Sequence, residues 1–488
     1  MRLRTTVTVA ALAALLLAGC GGAPPVAAPR PPAPAVPAVP TAAIPADPND
    51  PLLADLEERT FHWFWDLADP ATGLIPDRAP TPSFSSVAAV GFGLTAYTIG
   101  AERGWVTREA ARDRVRHVLQ FLLDAPQGPQ PKGMTSYHGF LYHFLDMKTG
   151  RRFEKVELST IDTTLLMAGV LACQSYFDRA DPAEAEVRDL AEKLYSRVDW
   201  TWARVRPPAV SHGWTPEEGF ISWDWRGLNE AMILYVLALG SPTHPVDPAA
   251  WEEWTRTYQW HTGYFGQDYV TFGPLFGHQY SQCWVDFNGI QDAYMRAKGI
   301  DYFENSRRAT LSQRTYAIEN PAGWKGYGAD VWGLTASDGP LDVTLKIGGR
   351  DRTFHTYWAR GVSPQELLDD GTIAPTAAAA SLPFAPEVVL PALREMRRRF
   401  GEPLYGRFGF VDAFNPTFDV DVKPQHGHVV KGLGWFDYDQ LGIDQGPIVI
   451  MIENYRSGLV WKTMRKNPHV VRGLKRAGFT GGWLEEAP

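Results

Sequence analysis

Three cysteines in 488 residues leave no material for a disulfide framework. Basic runs are also missing. Lys and Arg number 47 against 55 Asp and Glu, for a net charge of −8, so the electrostatic footprint of a nucleic-acid binder is absent. Beyond the N-terminus no stretch approaches the roughly 18 apolar residues that a membrane-spanning helix needs. His-Glu-x-x-His and paired-Cys spacings do not occur, so no metal is expected from motif spacing. No Gly-x-Ser-x-Gly elbow is present, and Gly91-Phe92-Gly93 lacks the strand context of a dinucleotide loop.

What is present is a globular composition, 45% hydrophobic and 21% charged, with 18 Trp, 18 Tyr and 24 Phe. The first 19 residues read as an export signal: Arg2 and Arg4, then an apolar stretch from Val7 to Leu17, then Leu17-Ala18-Gly19-Cys20. That ending is the pattern of a bacterial lipoprotein, with Cys20 the lipidated residue and Gly21 favouring an outer membrane. Residues 20–50 hold ten prolines and form a Pro/Ala-rich linker, extended at about 3.1 Å per residue. The expectation is an exported, monomeric lipoprotein of a Gram-negative bacterium, periplasmic or outer-membrane-anchored, meeting the membrane only through its lipid. Cys173 and Cys283, in apolar surroundings, are expected as buried thiols.

Residues 51–488 read as one domain. Helical periodicity marks 51–68, 83–103, 107–124, 159–178, 182–203, 229–239, 248–260, 287–299, 301–318, 374–381, 386–400 and 445–465, with a short helix near 469–477. Asp181-Pro182 and Asp247-Pro248 each place a capping residue before proline. Short connections alternate with long ones rich in Trp, Gly, Tyr and His, at 125–158, 204–228, 261–286, 319–373 and 401–444. Short strands are expected within 319–373. About twelve helices with an ornate loop at every second connection suggest an all-α fold, six hairpins closed into an (α/α)6 toroid with a cleft on one face.

The ornate loops combine carboxylates with rings: Trp214, Trp223, Trp225, Tyr264, Tyr280, Trp284, Trp324, Tyr327, Trp332 and Trp435. Rings stack on the apolar face of a pyranose while carboxylates and amides bond its hydroxyls. Three carboxylates stand at predicted helix starts: Asp162, Glu230 and Asp444. Taken alone, each is better explained by helix capping or by the helix dipole. Together, beside aromatic loops, they suit glycoside cleavage, which needs one protonated and one ionised carboxyl. Asp286, Asp412 and Glu453 are further acidic candidates, and His138, His143 and His278 are candidate donors to a sugar.

Four segments carry a resemblance. Glu157-Leu158-Ser159-Thr160-Ile161-Asp162-Thr163 is the first. Asn229-Glu230-Ala231-Met232, with Gly240-Ser241-Pro242-Thr243-His244-Pro245, is the second. Gly371-Thr372-Ile373-Ala374-Pro375-Thr376-Ala377 and Asp444-Gln445-Gly446-Pro447, with Glu453-Asn454-Tyr455-Arg456, complete the set. They are similar to the bacterial glycoamylase family, which includes the endo-β-1,2-glucanases of glycoside hydrolase family 144 and is related to a domain of cyclic β-1,2-glucan synthases. The likeness runs from about residue 55 to 480; Leu228 departs from it, since a Tyr is expected before Asn-Glu.

The resemblance implies an (α/α)6 fold, no cofactor, and cleavage of β-1,2-glucan to sophorooligosaccharides. It carries the family's acidic residues over to Asp162 and Glu230, and to Asp444 through the Asp-Gln-Gly-Pro motif, without fixing stereochemistry. Desolvation by aromatic walls and the helix N-termini make Glu230 the expected general acid and Asp162 or Asp444 the expected base, with inversion favoured. The motifs and the loop residues together make Glu157, His138, His143, Trp223, Trp225, Asn229, His278, Tyr280, Trp284, Asp286, Asp412, Gln445, Glu453, Asn454 and Arg456 the expected sugar contacts. The rivals are an exo-acting or sophorose-releasing glycosidase, another glucosidase or a transglycosylase of the same fold, and a non-catalytic glycan-binding lipoprotein.

Overall fold

The computed structural model describes residues 47–486, and two kinds of helix alternate along them. The helices are α1 (Pro51–Leu67), α2 (Val87–Arg103), α3 (Arg108–Asp124), α4 (Thr160–Tyr176) and α5 (Pro182–Ser196). Next come α6 (Met232–Gly240), α7 (Ala249–Arg256), α8 (Phe276–Trp284), α9 (Ala293–Lys298) and α10 (Tyr302–Glu319). The chain continues through α11 (Pro375–Ala379), α12 (Pro386–Phe400), α13 (Gly442–Arg456), α14 (Leu459–Met464) and α15 (Pro468–Arg476). Helix α3 buries one stripe, Ala111, Val115, Val118, Leu119 and Leu122, and leaves its charged side outward. Helix α6 is buried at every position from Met232 to Gly240, and α2, α4, α8 and α13 are buried over most of their length. A helix apolar all round has to lie inside, and one with a single stripe covers it.

Neighbours follow from that division. Helix α2 lies against α4 and α13, α4 against α5 and α6, and α13 against α1, α8 and α11. Helices α2 and α4 meet through glycine: a Cβ on Gly169 would stand 2.0 Å from the Gly91 carbonyl oxygen, and one on Gly91 would stand 2.2 Å from that of Leu165. Cys173, on α4, is a buried thiol facing the Leu94 carbonyl, and Cys283 is buried and free as well.

The expected helices mostly appear, with instructive differences. Helix α8 was hidden in the sequence because five of its residues, His278 to Gln282, include four polar ones. They are tolerated inside because they are paired: Gln279 Nε2 donates to the Ala377 carbonyl and to Ser381, and Gln282 Nε2 donates to Ser306. Helix α5 stops at Ser196, not 203, since the Asp199 carboxylate accepts from Trp202 N–H and folds a turn there. The expected helix 445–465 is two, α13 and α14, divided at Gly458, whose φ is 69°. Helix α9 occupies only the end of the expected 287–299.

Six long connections lead into the N-terminal ends of α2, α4, α6, α8, α11 and α13. They carry short antiparallel pairings in more places than 319–373. Val343–Ile347 pairs with Arg350–Phe354, close to expectation. Ser85–Ser86 pairs with Phe144–Leu145 at the start of α2, and Arg78–Ala79 pairs with Gln440–Leu441 at the start of α13. Leu158–Ser159, Gly213–Thr215 and Gly219–Phe220 form a small sheet at the start of α4. The pairings at the starts of α2, α4 and α13 pull distant loops over buried helix ends. The export signal, Cys20 and most of the linker 20–50 lie outside the described residues. No helix among those described is long and apolar enough to cross a membrane.

Gly169→Ala should force α2 and α4 apart and destabilise the chain by about 1–3 kcal/mol, the range for overpacking a close contact. Thermal denaturation checks this; an unchanged midpoint would show the helices are free to separate.

Candidate active site

A cavity of about 240 Å³ opens at the N-terminal ends of the buried helices. Ser86 caps α2 at its wall, Asp162 and Leu165 come from α4, Phe276 and Tyr280 from α8, and Ile443 from α13. Glu230 lies two residues before α6 and also faces the cavity.

Glu230 is held by its backbone. Its carbonyl accepts from Ser281 Oγ at 3.0 Å, and the same hydroxyl accepts from Ile233 N–H at 2.9 Å. Among the described residues, none but Glu230 itself donates a hydrogen bond to its carboxyl. Burial pushes that carboxyl up to about 7, with the nearby charge of Asp162 adding to the shift.

Asp162 sits in the first turn of α4. Ser159 caps the helix by accepting from Asp162 N–H at 3.1 Å and donates its hydroxyl to the Asp162 carboxylate. His143 links Asp162 to Glu157: Nδ1 donates to Glu157 at 2.8 Å, and Nε2 stands 3.5 Å from Asp162. Burial opposes a charge on His143, but Asp162 and Glu157 outweigh it and raise the imidazole to about 9. Burial raises Asp162, and the imidazolium pulls against that rise. Glu157 is buried too, yet His143 brings it below the usual carboxylate range.

The walls are aromatic. Trp225 Nε1 donates to Thr160 Oγ1 at 2.9 Å, and the indole stacks on His212 with centroids 3.8 Å apart. Burial lowers His212 to about 4, so it is neutral there. Trp223 stands 45% exposed at the rim, an exposure that suits a ring awaiting a partner. Tyr280, Tyr357 and Trp358 complete this side. Arg78 projects into the cavity while bonded to Asp338 at 2.6 Å.

Seven of the residues expected from sequence thus meet: Glu157, His143, Asp162, Glu230, Trp223, Trp225 and Tyr280. Asp444 and Asp412 stand behind them as an interacting pair. Asp444 is raised well above the carboxylate range by burial and by Asp412, and Asp412 is raised to about 7 by burial and by Asp338. Gln445, beside Asp444, donates to the Phe410 carbonyl.

The remaining residues lie elsewhere. His138 stacks on Trp202 at 4.5 Å. Asn229 accepts from Ala231 N–H and shapes the entry to α6. His278 is buried against the Phe272 carbonyl, and Trp284 is core, donating to Thr95. Asp286 pairs with Arg465. Glu453, Asn454 and Arg456 lie about 13 Å or more along α13 from Asp444, at 1.5 Å per residue. There Glu453 meets Arg103, Asn454 donates to the Cys283 carbonyl, and Arg456 meets Glu57. These contacts join helices away from the cavity. Sequence reasoning passed over Asp77, Arg78, His212, Tyr357 and Trp358. Tyr357-Trp358 had a signal, a ring pair in an ornate loop; Asp77 and Arg78 had none.

With this geometry in hand, likenesses to other proteins can be placed. Residues 222–468 match the model of the Glycoamylase family, described as glucoamylase. An exo β-1,2-glucooligosaccharide sophorohydrolase (non-reducing end) of Parabacteroides distasonis is 30% identical over 458 residues. That alignment takes in 87% of this chain, which spans only 57% of the relative's length. The endo-β-1,2-glucanase of Chitinophaga pinensis, solved with sophorotriose and glucose, superposes with a TM-score of 0.74 at 30% identity, over 88% of this chain and 98% of that one. A β-1,2-glucanase of Parabacteroides distasonis superposes with a TM-score of 0.74 at 29% identity, over 88% and 60% of the two chains.

The two cavity histidines should titrate far apart. NMR of histidine-labelled protein should find His143 protonated up to about pH 9 and His212 neutral down to about pH 4. A His143 that titrates near 6.5 would break the Glu157–His143–Asp162 link.

Proposed function

The chain belongs to the glycoamylase family, and on that premise we propose that it is a glycoside hydrolase cleaving β-1,2-linked glucan. The observation that carries the proposal is the contrast between Glu230 and Asp162 in one aromatic cavity. Glycoside cleavage requires a carboxylic acid that still holds its proton at neutral pH, and a carboxylate that does not. Burial, opposed only by its own backbone N–H, gives Glu230 the first property, with its value near 7. The imidazolium of His143, at 3.5 Å, favours the second for Asp162.

In this mechanism Glu230 gives its proton to the leaving glycosidic oxygen as the bond breaks. Asp162 takes a proton from water, which attacks the anomeric carbon from the opposite face and inverts it. Asp444 is less suited to the base's role, because Asp412 favours its protonated form and because it stands behind the wall. Trp225 and Trp223 provide faces for pyranose rings, and Glu157 and Arg78 offer polar contacts to hydroxyls.

Endo action is supported by the Chitinophaga relative, whose whole length this chain matches; the sophorohydrolase relative supports exo action, over a little more than half of its own length. Helix neighbours support an (α/α)6 ring. Helix α2 adjoins α4, α4 adjoins α6, Ile233 of α6 bonds Ser281 of α8, Gln279 of α8 bonds Ala377 of α11, and α11 adjoins α13, which adjoins α2. The proposal extends to an exported lipoprotein anchored through Cys20.

Incubation with linear β-1,2-glucan, followed by chromatography, tests the function. Mixed sophorooligosaccharides mean endo cleavage, sophorose alone means exo cleavage, longer or cyclic products mean transglycosylation, and binding without products would refute the enzyme. NMR of the first-formed anomer reads inversion directly.

Glu230→Gln should cut turnover by about 10²–10⁴-fold with the fold intact. In the parent enzyme kcat/KM should fall as pH rises through about 7, where Glu230 loses its proton. A flat alkaline limb would remove Glu230 from the acid's role. The same carboxyl makes stability pH-dependent. The folded chain keeps a proton that the unfolded chain releases above about 4.5, so stability is lost between there and about 7. Glu230→Gln does not titrate, and should therefore be more stable than the parent by on the order of 3 kcal/mol at pH 8 and by little at pH 4. Paired thermal melts at the two pH values check the sign.

A further inference from the structure

At the cavity wall and behind it, six aspartates converge: Asp77, which lines the cavity, and Asp338, Asp412, Asp437, Asp439 and Asp444. Asp338, Asp412, Asp437 and Asp439 are each no more than 2% exposed. The cations packed against them are few. Arg78 bonds Asp338, while Arg360 spends its charge on Asp370 and gives Asp338 only a hydrogen bond to its carbonyl. His426 stands half-buried at the outer edge. Buried carboxylates in such excess need compensation, because an unpaired charge in a low-dielectric interior costs several kcal/mol.

The orientation of the carboxylates is what points to a ligand. In three of them one oxygen is occupied by backbone and the other has no donor, although the Asp412 carboxyl also meets that of Asp444. Asp412 Oδ2 accepts from Asp338 N–H at 2.7 Å, and its Oδ1 is bare. Asp437 Oδ1 accepts from Tyr438 and Asp439 N–H, and its Oδ2 is bare. Asp439 Oδ1 accepts from Thr81 N–H at 2.8 Å, and its Oδ2 is bare. The backbone bonds fix each side chain and present the second oxygen inward. One ligand atom each from Asp338, Asp412 and Asp437 lies within 4.8 Å of the others, and so does a second set from Asp338, His426 and Asp439.

We propose that this cluster is a binding site for a hard divalent cation of the calcium class, held by Asp338, Asp412 and Asp437 with Asp439 and His426 at its open side. A donor set that is carboxylate oxygen apart from His426 suits calcium, which takes six to eight oxygens in flexible geometry. Water fills the positions the protein leaves. The ligands come from two long connections, 320–374 and 401–441, and Asp439 reaches Thr81 in a third. Those connections carry Arg78, Tyr357 and Trp358 on the cavity wall, so the ion would clamp that wall from behind. Its role is structural, and it stands whether or not the substrate is β-1,2-glucan.

The full chain, stripped with EDTA and exchanged into metal-free buffer near pH 7.5, is titrated with CaCl2 alone by calorimetry. It is also melted with and without about 1 mM CaCl2. The expected result is one bound Ca²⁺ per chain and a midpoint raised by about 5 °C. Asp437→Asn should weaken binding at least about tenfold by removing a charged ligand. If that variant does not fold, the titration of the parent chain decides alone. No binding heat together with an unchanged midpoint would overturn the site and mean that protons neutralise the cluster.

Discussion

The contact between α2 and α4 decides where everything else stands. Their backbones touch at Gly91 and Gly169, closer than any side chain permits. That brings the N-terminal ends of the two helices side by side, so Ser86 and Asp162 reach one cavity. The loops ahead of those ends must then share the same small space. They do so by pairing with each other: Ser85–Ser86 with Phe144–Leu145 carries His143 into position beside Asp162. The site is thus a by-product of how tightly two helices pack, several residues away from the chemistry.

Low dielectric then sorts the carboxylates. Glu157 acquires a cation and is ionised; Asp162 shares that cation and the Ser159 hydroxyl; Glu230 has neither and holds its proton. Residue type is the same or nearly so in all three cases, and environment makes the difference. The aspartates behind the wall form a fourth class, raised first by burial and then by repulsion among neighbours.

Much of this was legible in the sequence. Stripes such as Ala111, Val115, Val118, Leu119 and Leu122 announce an amphipathic helix at its true position. The alternation of short and long connections pointed to one functional face, and Glu157, Asp162, Glu230 and Trp225 were named from motifs that proved to converge. What failed to show was anything set by three-dimensional pairing. The polar face of α8 concealed a buried helix, because its hydrogen bonds go to α10 and α11, far along the chain. Glu453 and Arg456 looked like site residues because a polar run inside a buried helix is unusual, but Arg103 and Glu57 satisfy them. Asp338, Asp412 and Asp437 are separated by dozens of residues, so no spacing rule could have grouped them.

The stacking of Trp225 on His212 has a consequence for how the cavity would respond to acidity. The indole is fixed twice, by its bond to Thr160 and by a ring beneath it that carries no charge above about pH 4. A ring already immobilised gives up little rotational freedom when a ligand lies on it. Nothing in that support changes protonation across the neutral range, so the mounting of the ring does not depend on the proton that Glu230 loses near pH 7. Under the proposed mechanism, alkali that strips Glu230 of its proton would leave this platform as it was while removing the acid.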